Sequence, residues 1–432
     1  MDISIVGTGY VGLPAGAGLA SKGDHSVTCV DIDEEKVEKI NNGECPIYEE
    51  DLPELLEEVV SDGKLDATTD TTSAVKNSDV TFLAVGTPME DDGSINLDYI
   101  KQAAEDIGEG LKEKEGYHVV VVKSTVVPKT TEEEVIPRLE EKSGKKAGKD
   151  FGVCMNPEFL REGTALNDFL NPDRIVIGEL DERSGDKIEE MYSAFDAPKI
   201  RASLRAAELI KYASNSLLAT KISFINEIGN LCKELGIDVY EVADGVGLDS
   251  RINRDFLDSG AGFGGSCFPK DVRAVASFME KQGLEARILN DTISVNEDQK
   301  TKLVEQLKQH YPDISGKTIA VLGLSFKPGT DDIRQSPAID IIAELKEAGA
   351  EVKAYDPKAI ENMKQKHPEI EYTSDYQEAL ENADAGLIVT DWEEFSAVDR
   401  GDLQTMNKAL LLEGRRMSYD VDEENREGIT WP

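Results

Sequence analysis

Ile3-Ser4-Ile5-Val6-Gly7-Thr8-Gly9-Tyr10-Val11-Gly12, close to the start of the chain, decides the fold. An apolar strand, Ile3 to Val6, runs at once into a G-x-G-x-x-G turn, and Leu13 to Ser21 suits the helix that follows. A second strand, Val27 to Val30, ends at Asp31, roughly 20 residues beyond the last glycine, where an acid can take both hydroxyls of a ribose. The glycines let the turn close and let a pyrophosphate approach backbone amides at the helix N-terminus. Strand, turn, helix and acid together predict a dinucleotide-binding unit, with Gly7, Gly9, Tyr10, Val11, Gly12 and Asp31 at the cofactor. No arginine follows Asp31 to receive a 2′-phosphate, which favours NAD over NADP; FAD stays open from this motif alone.

Strand-like and helical segments go on alternating through the N-terminal half, the pattern of a doubly wound parallel sheet. Val80 to Val85 runs into Gly86-Thr87-Pro88, Val119 to Val122 into Lys123-Ser124-Thr125, and Phe151 to Met155 into Asn156-Pro157-Glu158-Phe159-Leu160-Arg161-Glu162. Parallel neighbours share one carboxyl edge, so Thr87, Thr125, Glu158 and Glu162 can all face the cofactor. Thr87 and Thr125 also suit helix caps. From about Ala202 to Lys300 the pattern turns helical, with one long helix from Ala206 to Leu235. Lys211 and Asn215 lie four apart on one face of it, among apolar neighbours. A snorkelling lysine is the ordinary explanation, and an amine and amide placed to stabilise an alkoxide is the sharper one. After about Gln299 the alternation resumes, with strands at Thr318 to Leu322, Glu351 to Tyr355, Ala385 to Thr390 and Ala409 to Leu412. Gly323-Leu324-Ser325-Phe326-Lys327 stands where a dinucleotide loop would be and does not continue as G-x-G-x-x-G. A second NAD site is therefore not expected there, and a phosphate-bearing ligand at Lys327 is. The fold class expected is α/β: two Rossmann-like doubly wound domains joined by a central helical region.

Within Gly264-Gly265-Ser266-Cys267-Phe268-Pro269-Lys270-Asp271 the thiol precedes a helix expected over Pro269 to Glu280. The positive end of that helix and the neighbouring Lys270 both favour thiolate, the attacking form. Most unpaired cysteines are simply small buried hydrophobes, and Cys29, Cys154 and Cys232 fit that description. No C-x-x-C spacing and no cluster among the four histidines suggests a metal site or a disulfide framework. A reduced, cytoplasmic setting fits, and the chain shows neither a signal-peptide pattern nor a long apolar span. Over 432 residues, 86 Asp and Glu stand against 47 Lys and Arg, a formal net charge of −39. Such a field repels nucleic acid and anionic membranes. The acids are dispersed, as in Glu49-Glu50-Asp51 and Glu132-Glu133-Glu134, which reads as a solvated acidic surface suited to high salt.

These pieces in this order resemble the UDP-glucose/GDP-mannose dehydrogenase family over nearly the whole chain. The resemblance runs through Gly7 to Gly12, Val85-Gly86-Thr87-Pro88, Lys123-Ser124-Thr125, Asn156 to Glu162, Glu208 to Asn215, Gly262 to Asp271, and Phe326-Lys327 with Thr330-Asp331-Asp332 and Arg334. It implies an NAD-binding domain over 1–200, a helical dimerisation domain over 201–300 that carries Cys267, and a UDP-binding domain over 301–432. It further implies that a UDP-glucose C6 alcohol is oxidised to the carboxylate with two NAD per turnover. Lys211, Asn215 and Asp271 would act on the oxygen, Cys267 would hold the aldehyde, and Glu158 with Thr125 would direct water to a thioester. Substrate contacts carried over are Glu158, Phe159, Leu160, Arg161, Lys211, Asn215, Arg251, Phe256, Gly264 and Lys327, with Arg251 reaching from a partner subunit of a homodimer. Thr87, Thr125, Glu162 and Arg334 would approach the cofactor. GDP-mannose or another UDP-sugar is the alternative substrate, and a non-catalytic NAD or nucleotide-sugar sensor is the alternative of another class.

Overall fold

Val119–Val122, four valines in a row and all buried, lie in the first sheet of a computed structural model that describes residues 1–23 and 25–432. A strand covered by helices on both faces needs apolar side chains at every position. The chain divides into two units, Met1–Ser214 and Asn215–Pro432.

In the first unit β1 (Asp2–Val6), β2 (Ser26–Val30), β3 (Leu65–Thr68), β4 (Val80–Leu83), β5 (Val119–Val122), β6 (Gly152–Met155), β7 (Ile175–Glu179) and β8 (Lys199–Ser203) form one sheet. Their order is β3-β2-β1-β4-β5-β6-β7-β8. The stretch from β3 to β6 is parallel and doubly wound. Strand order reverses between β1 and β4, where open α/β sheets take ligands beyond their carboxyl ends. β4 stops at Leu83, so Val85 belongs to the loop and not, as expected, to the strand. The sheet is also not wholly parallel: β7 runs antiparallel to β6. The connection between them carries only the six-residue helix Ala165–Leu170.

The second unit carries β9 (Thr318–Leu322), β10 (Glu351–Tyr355), β11 (Glu371–Tyr372), β12 (Ala385–Ile388), β13 (Leu411–Glu413) and β14 (Arg426–Gly428), all parallel, in the order β11-β10-β9-β12-β13-β14. Helices Val239–Gly247, Phe268–Lys281 and Arg287–His310 belong to the same unit. Val239, Leu303 and Leu307 from these helices share one apolar core with Ile319, Val321 and Leu387 of the sheet. The long helix Leu204–Leu235 begins in the first unit and continues into the second. The fold is thus α/β, two Rossmann-like sheets joined through a helical region. Among the described residues no helix is long and apolar enough to cross a membrane, and no His, Cys, Asp and Glu cluster is arranged to hold a metal.

Candidate active site

Gly7 takes φ +104°, a left-handed conformation that side chains other than glycine rarely adopt, and a Cβ there would meet the Ala84 carbonyl oxygen at 2.7 Å. A Cβ on Gly12 would lie 1.9 Å from the Gly7 carbonyl oxygen, so the turn closes only with glycine at both ends. A Cβ on Gly9, by contrast, would meet nothing within 4 Å. The loop therefore offers open backbone at its middle and the N-terminus of helix Gly12–Lys22 at its end, the arrangement a pyrophosphate requires. Asp31, at the end of β2, accepts the Thr8 N–H at 3.1 Å and the Asp33 N–H at 3.1 Å, and the Thr8 hydroxyl as well. Burial pushes its pKa up, but the Thr8 hydroxyl and these amides outweigh burial and hold it below the usual carboxylate range. A half-buried, ionised acid beside a glycine turn fits a dinucleotide ribose.

The next loops along the same carboxyl edge are tied to one another. The Thr87 hydroxyl donates to the Thr125 carbonyl at 3.1 Å, and the Ser124 hydroxyl to the Val85 carbonyl at 2.6 Å. Neither threonine caps a helix. Beyond Thr125 the chain passes through Lys129, at φ +80°, into a π-helical turn, Thr131–Val135. Glu208 of the long helix, fully buried, accepts the Lys129 and Thr131 N–H groups at 2.7 and 2.8 Å. Burial raises its pKa to about 7 against the pull of those donors.

One turn further along the helix Lys211, also buried, pairs with Glu158 at 2.8 Å. This lysine does not snorkel. Glu158 also accepts the Leu160 N–H at 2.6 Å. Its pKa lies below the usual range: burial pushes up, and the charge and hydrogen bond of Lys211, the Leu160 amide and the charge of Lys123 prevail. Phe159 stacks under Arg174, 3.8 Å from the ring centroid, with Lys211 at 5.6 Å. Leu160 is half-buried and packs on the apolar core. Arg161 is turned outward and forked onto Asp168, its Nε donating at 3.0 Å, while Glu162 beside it is half-buried. Glu49 departs from the expected solvated acidic surface: it is buried and accepts the Gly163 N–H at 2.9 Å and the Ala165 N–H. Those amides lie at the start of helix Ala165–Leu170 and have no helical partners of their own, so a buried carboxylate is well placed there.

In the second unit Cys267 is exposed and is the N-cap of Phe268–Lys281, with Pro269 in the first turn. The Ser266 hydroxyl lies 3.6 Å from its sulfur. None of the five cysteines forms a disulfide; Cys29, Cys154 and Cys232 are buried. Lys270, expected to favour the thiolate, donates instead to Asp271 at 2.6 Å. Buried Asp271 also receives the Asn215 amide at 2.7 Å. The turn before Cys267 is strapped to the segment after β9: Gly265 donates its N–H to the Arg334 carbonyl at 2.8 Å, and a Cβ on Gly264 would strike the Gln335 carbonyl oxygen at 2.3 Å. Asn296 clasps Phe263 through both backbone groups, at 2.7 and 3.0 Å. Phe256, at φ +63°, sets its ring 6.1 Å from that of Phe268. Lys327 lies over the Phe326 ring at 5.6 Å, Arg334 forks onto Asp332, and Arg251, largely exposed, forks onto Asp249.

The second sheet has its acid at the position equivalent to Asp31, but turned to a different use. Asp356, at the end of β10, is buried and accepts N–H groups from Leu324, Ser325, Lys358 and Ala359 at 2.7–3.0 Å, and the Trp392 indole at 3.0 Å. A carboxylate so fully engaged has no capacity left for a ribose.

The family model for the NAD binding domain of the UDP-glucose/GDP-mannose dehydrogenase family matches residues 1–196, its central domain 205–298 and its UDP binding domain 320–420. The chain is 47% identical to the UDP-glucose 6-dehydrogenase AglM of Haloferax volcanii, over 96% of this chain and 97% of that one. It is 45% identical to the UDP-glucose 6-dehydrogenase TuaD of Bacillus subtilis, over 99% and 92%. The solved structure of a UDP-glucose dehydrogenase from Pyrobaculum islandicum superposes with a TM-score of 0.93 at 42% identity, over 100% of this chain and 98% of that one.

Proposed function

The chain belongs to the UDP-glucose/GDP-mannose dehydrogenase family, and from that premise we propose that it oxidises the C6 alcohol of UDP-glucose to the carboxylate, giving UDP-glucuronate. The observation that carries the proposal lies in the second unit, where an exposed N-cap thiol, Cys267, opens the helix whose buried Asp271 receives the Asn215 amide; in the first unit Lys211, one turn before Asn215 on the long helix, is buried against Glu158. NAD+ held at Gly7–Gly12 and Asp31 supplies the hydride acceptor. Lys211, Asn215 and Asp271 hold the C6 oxygen and take its proton as the alcohol becomes the aldehyde. The Cys267 thiolate then adds to the aldehyde carbon, and the oxygen gains a proton to give a thiohemiacetal. Loss of a second hydride and of that proton leaves a thioester. Glu158 takes a proton from water, Thr125 helps to place it, and attack on the thioester carbon releases the carboxylate and restores the thiol. The whole consumes one sugar, two NAD+ and one water, and yields two NADH and three protons.

The functional division is into 1–200 for NAD, 201–300 for Cys267 and dimerisation, and 301–432 for the UDP moiety, with Lys327 at the nucleotide-sugar. A homodimer along Leu204–Leu235 accords with its exposed apolar positions, Leu217, Phe224 and Leu231, each seven residues from the next. Light scattering should therefore give twice the chain's mass. Arg251, solvent-facing in this chain, would reach the partner's substrate. Five cysteines with no disulfide between them support a reduced, cytoplasmic setting.

The deciding measurement is NADH released per sugar, over a panel of UDP- and GDP-sugars at several salt concentrations. Two NADH per UDP-glucose is the expected outcome. Preference for GDP-mannose would move the chain to the family's other branch, and NAD binding without turnover would make it a sensor.

A further inference from the structure

Lys123 has no part in the chemistry above, yet it is buried at the carboxyl end of β5, immediately before Ser124 and Thr125. Its ammonium donates to the Asn156 side-chain oxygen at 2.8 Å and lies 5.8 Å from the centre of the Phe169 ring. Asn156 is held by two other elements: the Tyr192 hydroxyl donates to the same oxygen at 2.7 Å, and the Asn156 amide donates to the Val176 carbonyl at 2.7 Å. Two residues after Asn156 comes Glu158, held by Lys211. The charged and titratable groups facing Lys123 are therefore Glu158 from the loop after β6, Lys211 from the long helix, and Tyr192 through Asn156.

A lysine in such a place is expensive: burial pushes its pKa down to about 8, with Glu158 opposing and Lys211 adding to the fall. One amide oxygen and one ring are slender compensation for a charge. The surplus becomes useful when Lys211 is drawn to the sugar oxygen. Glu158, buried, then loses the counter-charge nearest to it, and burial, which pushes its pKa up, favours the neutral acid that cannot serve as a base.

We propose that Lys123 is the reserve counter-charge of Glu158: it keeps that carboxylate ionised while Lys211 serves the reacting oxygen, so that one lysine can leave without disarming the base. Lys123 is thus a positioning residue, acting through Glu158 and Asn156. It rests on the role given above to Glu158.

The test uses Lys123→Gln, which retains an amide donor for Asn156 without the charge, beside Lys123→Met. Each variant is mixed with UDP-glucose and NAD+ between about pH 6 and 9.5, and the sugar adduct on Cys267 is followed by intact-mass spectrometry. At neutral pH, Lys123→Gln should slow thioester hydrolysis by at least about tenfold, with recovery as pH rises. A loss equal at every pH, or hydrolysis as fast as in the unaltered chain, overturns the proposal. A second measurement needs no turnover: the Glu158 carboxyl is titrated by carbon-13 NMR in Lys211→Met and in Lys211→Met/Lys123→Gln. Glu158 should stay ionised at neutral pH in the first and take up a proton in the second. A neutral Glu158 in Lys211→Met, or identical titrations in the two, overturns the proposal. If the unaltered chain makes no NADH, the proposed reaction fails on that ground, and the titration still decides Lys123.

Discussion

Cys267→Ala is expected to abolish net NADH production from UDP-glucose, a loss of at least about 10³-fold in turnover. The side chain is exposed at a helix N-cap and makes no cap hydrogen bond there, so the substitution removes little packing and the melting temperature should hardly move. Its effect falls on the chemistry. The first hydride transfer from an alcohol is reversible, and the aldehyde is drawn forward only when a nucleophile captures it. Without the sulfur, the aldehyde gives its hydride back or departs. Turnover by Cys267→Ala at the unaltered rate would sink the covalent route.

Glu158→Gln should separate the two halves of the reaction. The amide keeps the size of the side chain and can still accept from the Leu160 N–H, but it cannot take a proton from water. Both oxidations should proceed as far as the thioester and hydrolysis should slow by about 10²–10⁴-fold, the usual worth of a general base. The expected signs are a burst of NADH followed by near arrest, and a chain heavier by one UDP-sugar acyl group. If Glu158→Gln carries no sugar mass on Cys267 after mixing, another group is the base. Some loss is expected on the first step as well, because Lys211 then faces a neutral neighbour where its charged partner stood. A slower burst with the adduct still accumulating would separate that effect from the loss of the base.

The fold was legible where physical constraint and sequence pattern coincide. β1, its glycine turn and β2 follow from steric need at Gly7 and Gly12, and β5 from four buried valines. Two strands of the first sheet, β3 and β7, are not among those expected although β7 is apolar and buried, and the remaining unexpected strands make little demand on sequence. β8, Lys-Ile-Arg-Ala-Ser, is nowhere fully buried, β14 is Arg-Glu-Gly, and β11 has two residues. The reversal of β7 was hidden because strand direction leaves no mark on the strand itself. Of the candidate site, Glu158, Lys211, Asn215 and Asp271 are legible in the sequence as residues, and their pairing is not, because each bond joins positions far apart along the chain. Asn296, Glu49 and Arg415, whose guanidinium donates to the Gly262 carbonyl, support loops of the candidate site and carry no signal of it in the sequence. An asparagine inside a helix and a glutamate in an acidic run look like surface residues until their partners, far away in sequence, are known.

Asp356 sets the rhythm of the proposed enzyme. With its oxygens committed to Leu324, Ser325, Lys358, Ala359 and Trp392, it offers a dinucleotide ribose no open acceptor, and on the proposed reaction both oxidations would draw on the loop at Gly7–Gly12. Spent cofactor has to leave and fresh cofactor enter while the half-oxidised sugar waits on sulfur. NADH thus competes for the same berth twice in each cycle. A cell running short of oxidised cofactor would brake this chain at two points, and the material stalled at the second would be chain already loaded with sugar.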